Sequence, residues 1–389
     1  MHAAWPAHPQ APPADRVSDA GRESTWGGPY GPYVISRHTT GDTRSATMYF
    51  VLSVWNPYNT MLMRTTVRAG TDAEPAGNPA LIQGTRGAVG WFEVVTARAG
   101  SGLTHDRRNN DASGLPWVAP VTFGTGEVET VTLIEGNFGA PGNLELVARV
   151  GDRLVFYFWN GIQWVGPGPI VANGVEITGV KGVPSLIQST WGTRGNFELA
   201  VPLIGGGIGL WFRDNDNPSF PWSTAGTCGG TGQYDAVSLI ESRTTPGNLE
   251  ILARQGDRLV HTWRGGPPSW TWSTPTYVVA DGRMVTGASG GPTLLQARSA
   301  SPTNLDALTP MRDGGGLAHL WRDGAGAWHG PTRFATAEGR LDGAAMIQST
   351  FGTPGNLEVV ARRQNQLLHY WRDSGPTFRW SGAGVIATR

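Results

Sequence analysis

A single cysteine, Cys228, in 389 residues leaves no internal disulfide to be made and keeps the redox compartment open. Charge of either sign is in short supply. Lys+Arg and Asp+Glu both number 30, so the formal net charge is zero and nothing steers the chain toward nucleic acid or an acidic membrane face. Charged residues make up only 15%, against a usual value of about 25%. No apolar run approaches the roughly 20 residues of a spanning helix, so no membrane insertion is expected. H-E-x-x-H, paired cysteines and a P-loop are missing, as is any sustained helical periodicity. What the chain has instead is 56 Gly, 28 Pro and 17 Trp. That is the composition of many short strands, tight turns and spare aromatic surface.

The chain repeats itself. The run L-I-Q/E, or a close variant, places its polar residue at Gln83, Glu135, Gln188, Glu241, Gln296 and Gln348, at intervals of 52, 53, 53, 55 and 52 residues. Nine or ten residues later stands an acid: Glu93, Glu145, Glu198, Glu250, Asp306 and Glu358. In five copies an Asn stands two residues before it, at Asn143, Asn196, Asn248, Asn304 and Asn356, with Trp91 in the first. A third landmark is H-x-W-R, giving His261, Trp263 and Arg264, then His319, Trp321 and Arg322, then His369, Trp371 and Arg372. Each copy closes on a tryptophan: Trp117, Trp164, Trp222, Trp272, Trp328 and Trp380. A fixed period of this size marks a solenoid, propeller or array.

Each unit reads as four strands. In the last copy they are expected at 345–350, 356–362, 366–371 and 378–386, with G-T-P-G, R-Q-N and D-S-G-P as turns. In the third strand Leu367, His369 and Trp371 share one face, and Leu368, Tyr370 and Arg372 the other. Before the six repeats lies a divergent unit over about 30–75, where Ile35-Ser36 matches Ile347-Gln348 and Arg64 falls at the place of the repeated Arg. Six repeats plus this unit predict an all-β, seven-bladed β-propeller of four-stranded antiparallel blades over 30–389. Residues 1–25, rich in Pro and Ala, have neither a basic start nor an apolar h-region. They read as a disordered leader rather than a signal peptide.

The combination Q-S-T-F-G-T-P-G-N-L-E-V-V-A-R (348–362) with L-L-H-Y-W-R-D and a terminal W-S-G resembles the Photorhabdus-type lectins across the six repeats. That resemblance implies a seven-bladed propeller binding fucose or a related sugar, O-methylated forms included, at sites repeated around the ring without metal or other cofactor. Residues 33–70 also resemble the closing strands of an actinobacterial secreted propeller family that includes endo-arabinanases. Release from a bacterial cell agrees with both resemblances, although no segment of the chain specifies a location.

A sugar offers an apolar C–H face to an indole and hydroxyls to forked donors and acceptors, so the repeated Trp, His and Arg are the candidate site residues. The His position holds His105, Phe156, Leu210, His261, His319 and His369; two residues on stand Arg107, Phe158, Phe212, Trp263, Trp321 and Trp371. If H-x-W-R and the closing Trp of one blade form one site, the blades ending in Trp272, Trp328 and Trp380 are the best binders. The same residues have a structural reading, since Trp and Asp in propellers commonly tie blades together. Gly287-Ala288-Ser289-Gly290-Gly291 fits a nucleophile-elbow pattern but lacks a strand-to-helix setting. Asp214-Asn215-Asp216-Asn217 reads as a polar turn, short of a calcium loop. Three functions remain open: a multivalent glycan-binding lectin without catalysis, a propeller glycosidase or polysaccharide lyase (or its non-catalytic binding part), and a protein-interaction scaffold. The oligomeric state is open too.

Overall fold

Alternating side chains and left-handed turn residues fold each repeat into a meander. Two-residue hairpin loops join the second and third strands at Gly151-Asp152, Gly256-Asp257 and Gln364-Asn365, with φ of 62°, 62° and 54° at the first position. In the computed structural model the described residues are 29–41, 45–54, 60–68, 77–98, 102–137, 142–243, 247–266, 270–296, 298, 304–312, 315–375 and 377–388. Among them there is no α-helix, only the 3-10 turns Ser36–His38 and Thr336–Glu338. The expected strands of the last repeat appear as Gly343–Gln348, Leu357–Arg363, Gln366–Arg372 and Trp380–Thr388, within two residues at nearly every end.

The chain forms two compact units, Met1–Ala73 and Glu74–Arg389. In the first, β1 (Pro29–Val34) and β2 (Thr40–Gly41) both pair with β3 (Ser45–Val54), and β4 (Thr60–Arg68) pairs along the length of β3. The β-rich runs expected here are strands, but their connectivity is not the meander of the repeats. Tyr33 and Leu62 are exposed, while Phe50 is buried. The expected leader over 1–25 lies outside the described residues.

The second unit holds six antiparallel sheets, blades 1 to 6, at 80–123, 130–169, 171–228, 236–277, 279–334 and 343–388. Blade 1 is typical: β5 (Ala80–Gln83), β6 (Phe92–Ala97), β7 (Leu103–Arg108) and β8 (Trp117–Phe123), each antiparallel to the next. Blades 3 and 5 add a short hairpin that pairs in parallel with the outer strand, at Trp222 and Trp328.

The core lies between blades. Six apolar clusters each join two successive blades, and the last joins Leu81, Phe92 and Val94 of blade 1 to Val360 and Leu367 of blade 6. The repeated Gln/Glu forms a belt around the inner strands. Its side-chain oxygen accepts the backbone N–H two residues past the matching position of the preceding blade: Thr85 to Glu135, Asn137 to Gln188, Thr190 to Glu241, Arg243 to Gln296 and Arg298 to Gln348. Thr350 N–H donates to Gln83 at 2.8 Å and completes the belt across 267 residues. The expected seven blades therefore give way to six, because the first and last repeats pack on each other and close the ring without the segment over 30–75.

Candidate functional site at the blade junctions

Because strand side chains alternate, H-x-W-R cannot point one way. His369 and Trp371 share a face with Glu358 of the adjacent strand, where Glu358 stands directly opposite Trp371. That face meets Trp117 of blade 1, whose ring lies 6.3 Å from His369. Arg372 takes the other face and reaches blade 5, its Nη2 3.9 Å from Asp306. The same positions face each other at every junction: the acid, His-position and aromatic-position residues of one blade meet the Arg-position residue and closing Trp of the next, with the full set at junctions 4/5, 5/6 and 6/1. The expectation that one blade's H-x-W-R and its own closing Trp make one site is corrected: they belong to two neighbouring junctions.

Four acids are keyed by the His of their own blade. The Nε2-to-carboxylate distances are 2.6 Å for His105–Glu93, 2.9 Å for His261–Glu250, 2.7 Å for His319–Asp306 and 2.8 Å for His369–Glu358. These His rings are only 1–6% exposed, so they hold the acids rather than presenting an open face. The next blade's Trp meets each ring edge-on, at 5.5 Å for Trp164, 5.6 Å for Trp328 and 5.6 Å for Trp380. Burial alone would raise the Glu250 carboxyl; the hydrogen bond and charge of His261, with Ser242 and Arg322, outweigh it and hold the group below its usual range.

Blades 2 and 3 carry Phe156 and Leu210 in place of His. Burial pushes Glu145 up to about 7, with Arg213 opposing the shift. It pushes Glu198 up to about 7 as well, against Arg264 and the Ser189 hydroxyl.

The facing guanidinium stops short of a direct hydrogen bond. Arg213–Glu145 spans 4.0 Å, and Arg322–Glu250 and Arg372–Asp306 each span 3.9 Å. A hydroxyl both donates and accepts, so one placed between the two can serve carboxylate and guanidinium together. Further buried donors stand without a partner among the described residues: Arg264 Nε, Arg372 Nε and Trp380 Nε1. At junction 6/1 a cavity of about 360 Å³ opens, lined by Phe351, Asn356, Glu358, His369 and Trp371 of blade 6 and by Arg108, Gly114, Leu115 and Trp117 of blade 1.

The closing tryptophans are packing pieces to a large degree. Trp222 and Trp328 are 8% exposed, and the rings of Trp164 and Trp380 stack on Phe123 and Phe334 at 4.4 and 3.8 Å. Trp263 and Trp321, at 42% and 40%, are the most exposed indoles of the set, with one face of Trp321 stacked on His329 at 4.1 Å. Arg264 lies over Trp270 and Trp272 of its own blade and faces Glu198, which makes junction 3/4 a site without His. Sequence reasoning missed Arg108 and Arg213, which occupy the Arg position of blades 1 and 3 behind an atypical motif. The signal was there, three residues after His105 and Leu210. Blade 2 has Trp159 instead, 5.7 Å from His105, and Trp164 Nε1 donates to His105 Nδ1 at 3.2 Å, so junction 1/2 is filled by protein. The Asp214–Asn217 segment is a turn: Asp214 Oδ1 accepts from Asp216 and Asn217 N–H, and Asp216 accepts from Thr193 and Arg194.

No protein-family profile and no curated protein matches this chain in sequence. Solved structures do match in fold. The fungal lectin of Aleuria aurantia, described as a six-bladed β-propeller with a novel fucose recognition mode, superposes with a TM-score of 0.59 at 15% identity, covering 82% of this chain and 98% of that one. The BP39L lectin from Burkholderia pseudomallei gives 0.55 at 16%, covering 89% and 96%. The SapL1 lectin in complex with α-methyl fucoside gives 0.54 at 14%, covering 81% and 97%. The fold is a β-propeller.

Proposed function

We propose that this protein is a multivalent, non-catalytic lectin that binds fucose or a related monosaccharide on glycans at the junctions between blades. The observation that carries the reading is the carboxylate and guanidinium held 3.9–4.0 Å apart beside an indole, repeated from junction to junction. In this reading the acid accepts from sugar hydroxyls, the Arg donates to a hydroxyl or the ring oxygen, and Trp263, Trp321 or Trp371 covers an apolar C–H face. The likeness to lectins, two of them described with fucose or a fucoside, supports it. Repetition of the acids at one position of every blade is the pattern of copied binding sites. A glycosidase would need one exceptional pair.

Junctions 4/5, 5/6 and 6/1 combine acid, His, Trp and Arg, and are the strong sites. Junctions 2/3 and 3/4 lack the His and carry Phe158 and Phe212 at the open position; junction 1/2 lacks the Arg. Single sites are weak, because a monosaccharide exchanges water hydrogen bonds for similar ones. Simultaneous contact on one rigid ring raises avidity by ~10²–10⁴. A glycan array followed by calorimetry with methyl α-L-fucoside tests this, with about three strong equivalents per chain expected from the arrangement of complete junctions. Binding unaffected by EDTA is expected as well. Silence across the array would end the lectin reading.

A further inference from the structure

Outside junction 1/2, which protein fills, one residue in the outer loop sorts the junctions into two kinds. Two positions before the closing Trp stand Leu115, Phe220, Trp270 and Phe378, each in left-handed backbone with φ of 48°, 47°, 47° and 45°. Large side chains seldom adopt this region, and such strain concentrates where a ligand is held. Here the strained residue sits over the arginine of its own blade. Arg213 lies 5.2 Å from the Phe220 ring, Arg264 4.8 Å from Trp270, and Arg372 5.5 Å from Phe378. Leu115 lines the junction 6/1 cavity with Arg108. Trp270 also meets Trp191 of the preceding blade at 4.6 Å, so the wall spans junction 3/4 from side to side.

Blade 5 departs from this. Gly326 occupies the position, at φ 93°, and a Cβ there would lie 3.1 Å from Arg322 Nη2. The side chain that stands over the junction in blades 1, 3, 4 and 6 is missing here, and the Arg322 guanidinium itself packs against Gly326. The Arg322 side chain is 23% exposed, against 17% for Arg372 and 7% for Arg213. Junction 4/5 is therefore the one that joins a complete acid, His, Trp and Arg set to an unwalled edge.

We infer that the left-handed residue is a size gate: walled junctions take a bare terminal monosaccharide, and junction 4/5 also admits one crowded by a second sugar on that edge. This rests on the lectin reading and assigns a ligand class to each junction. Calorimetry on the full chain compares methyl α-L-fucoside with a branched trisaccharide in which fucose is flanked by galactose. Native protein is expected to bind fewer equivalents of the trisaccharide than of the monosaccharide. Phe378→Gly, which relieves a left-handed backbone at a 54%-exposed side chain and should fold without loss of Tm, is expected to raise trisaccharide stoichiometry by about one while leaving the monosaccharide count unchanged. Arg322→Ala is expected to remove the native trisaccharide site. Equal stoichiometry for both ligands in native protein, or no gain in Phe378→Gly, overturns the gate while leaving the lectin reading intact. Failure of the monosaccharide itself to bind overturns both.

Discussion

The smallest unit of this molecule with a job is a buried acid and whatever keys it. His261 gives Glu250 a neighbour at 2.9 Å, with both side chains largely buried. His261→Ala strands that carboxylate, and a cost of about 2–3 kcal/mol is expected from a buried group left without its partner; chemical denaturation measures it. Glu145 and Glu198 pose the opposite case. Their folded carboxyls titrate near 7, above the ordinary 4.5, so the folded state holds protons that the unfolded chain releases. Their contribution is fully present below about pH 4.5 and is lost as pH rises through 7. Each ionisation costs up to about 3 kcal/mol. Glu145→Gln is expected to match native stability at pH 5 and exceed it at pH 8; a variant that loses stability equally at both pH values would contradict the assignment.

At the scale of the strand, parity decides which residues can meet. His319 and Trp380 lie in different blades but share junction 5/6, with ring centroids 5.6 Å apart. His369 and Trp380 lie in one blade and serve different junctions. A double-mutant cycle on unfolding free energy should give His319→Ala and Trp380→Ala a coupling of about 0.5–1.5 kcal/mol. His369→Ala and Trp380→Ala should add within about 0.5 kcal/mol. The sequence already contained this, because the alternation of Leu367 to Arg372 puts His369 and Arg372 on opposite faces. A period-2 strand cannot bring them into one site. The strands, the repeat and the candidate residues were legible because each is a local pattern. The partner across the junction was not, since it comes from a residue about 50 positions away whose placement depends on blade packing. The left-handed Phe220, Trp270 and Phe378 were likewise invisible, as bulky residues carry no turn signal.

For the ring as a whole, the repeated Gln/Glu that first exposed the period turns out to be a fastener. Gln83 accepts from Thr350 N–H and its amide donates to the Thr350 hydroxyl, both at 2.8 Å, across the one junction where no peptide joins the blades. Gln83→Ala is expected to cost about 2 kcal/mol for the two lost bonds. Hydrogen exchange should then show blades 1 and 6 opening ahead of the rest; uniform loosening of all blades would argue against a latch. A blade, moreover, owns no site. Its His face equips one seam and its Arg face the other, so exchanging a single blade rewrites two seams and leaves four alone. Variation in such a ring is inherited seam by seam: a duplication of blade 5 in place of blade 3 would bring Asp306, His319 and Trp321 to meet Arg264, and Arg322 to meet Glu145, changing the chemistry of two adjacent seams in one step.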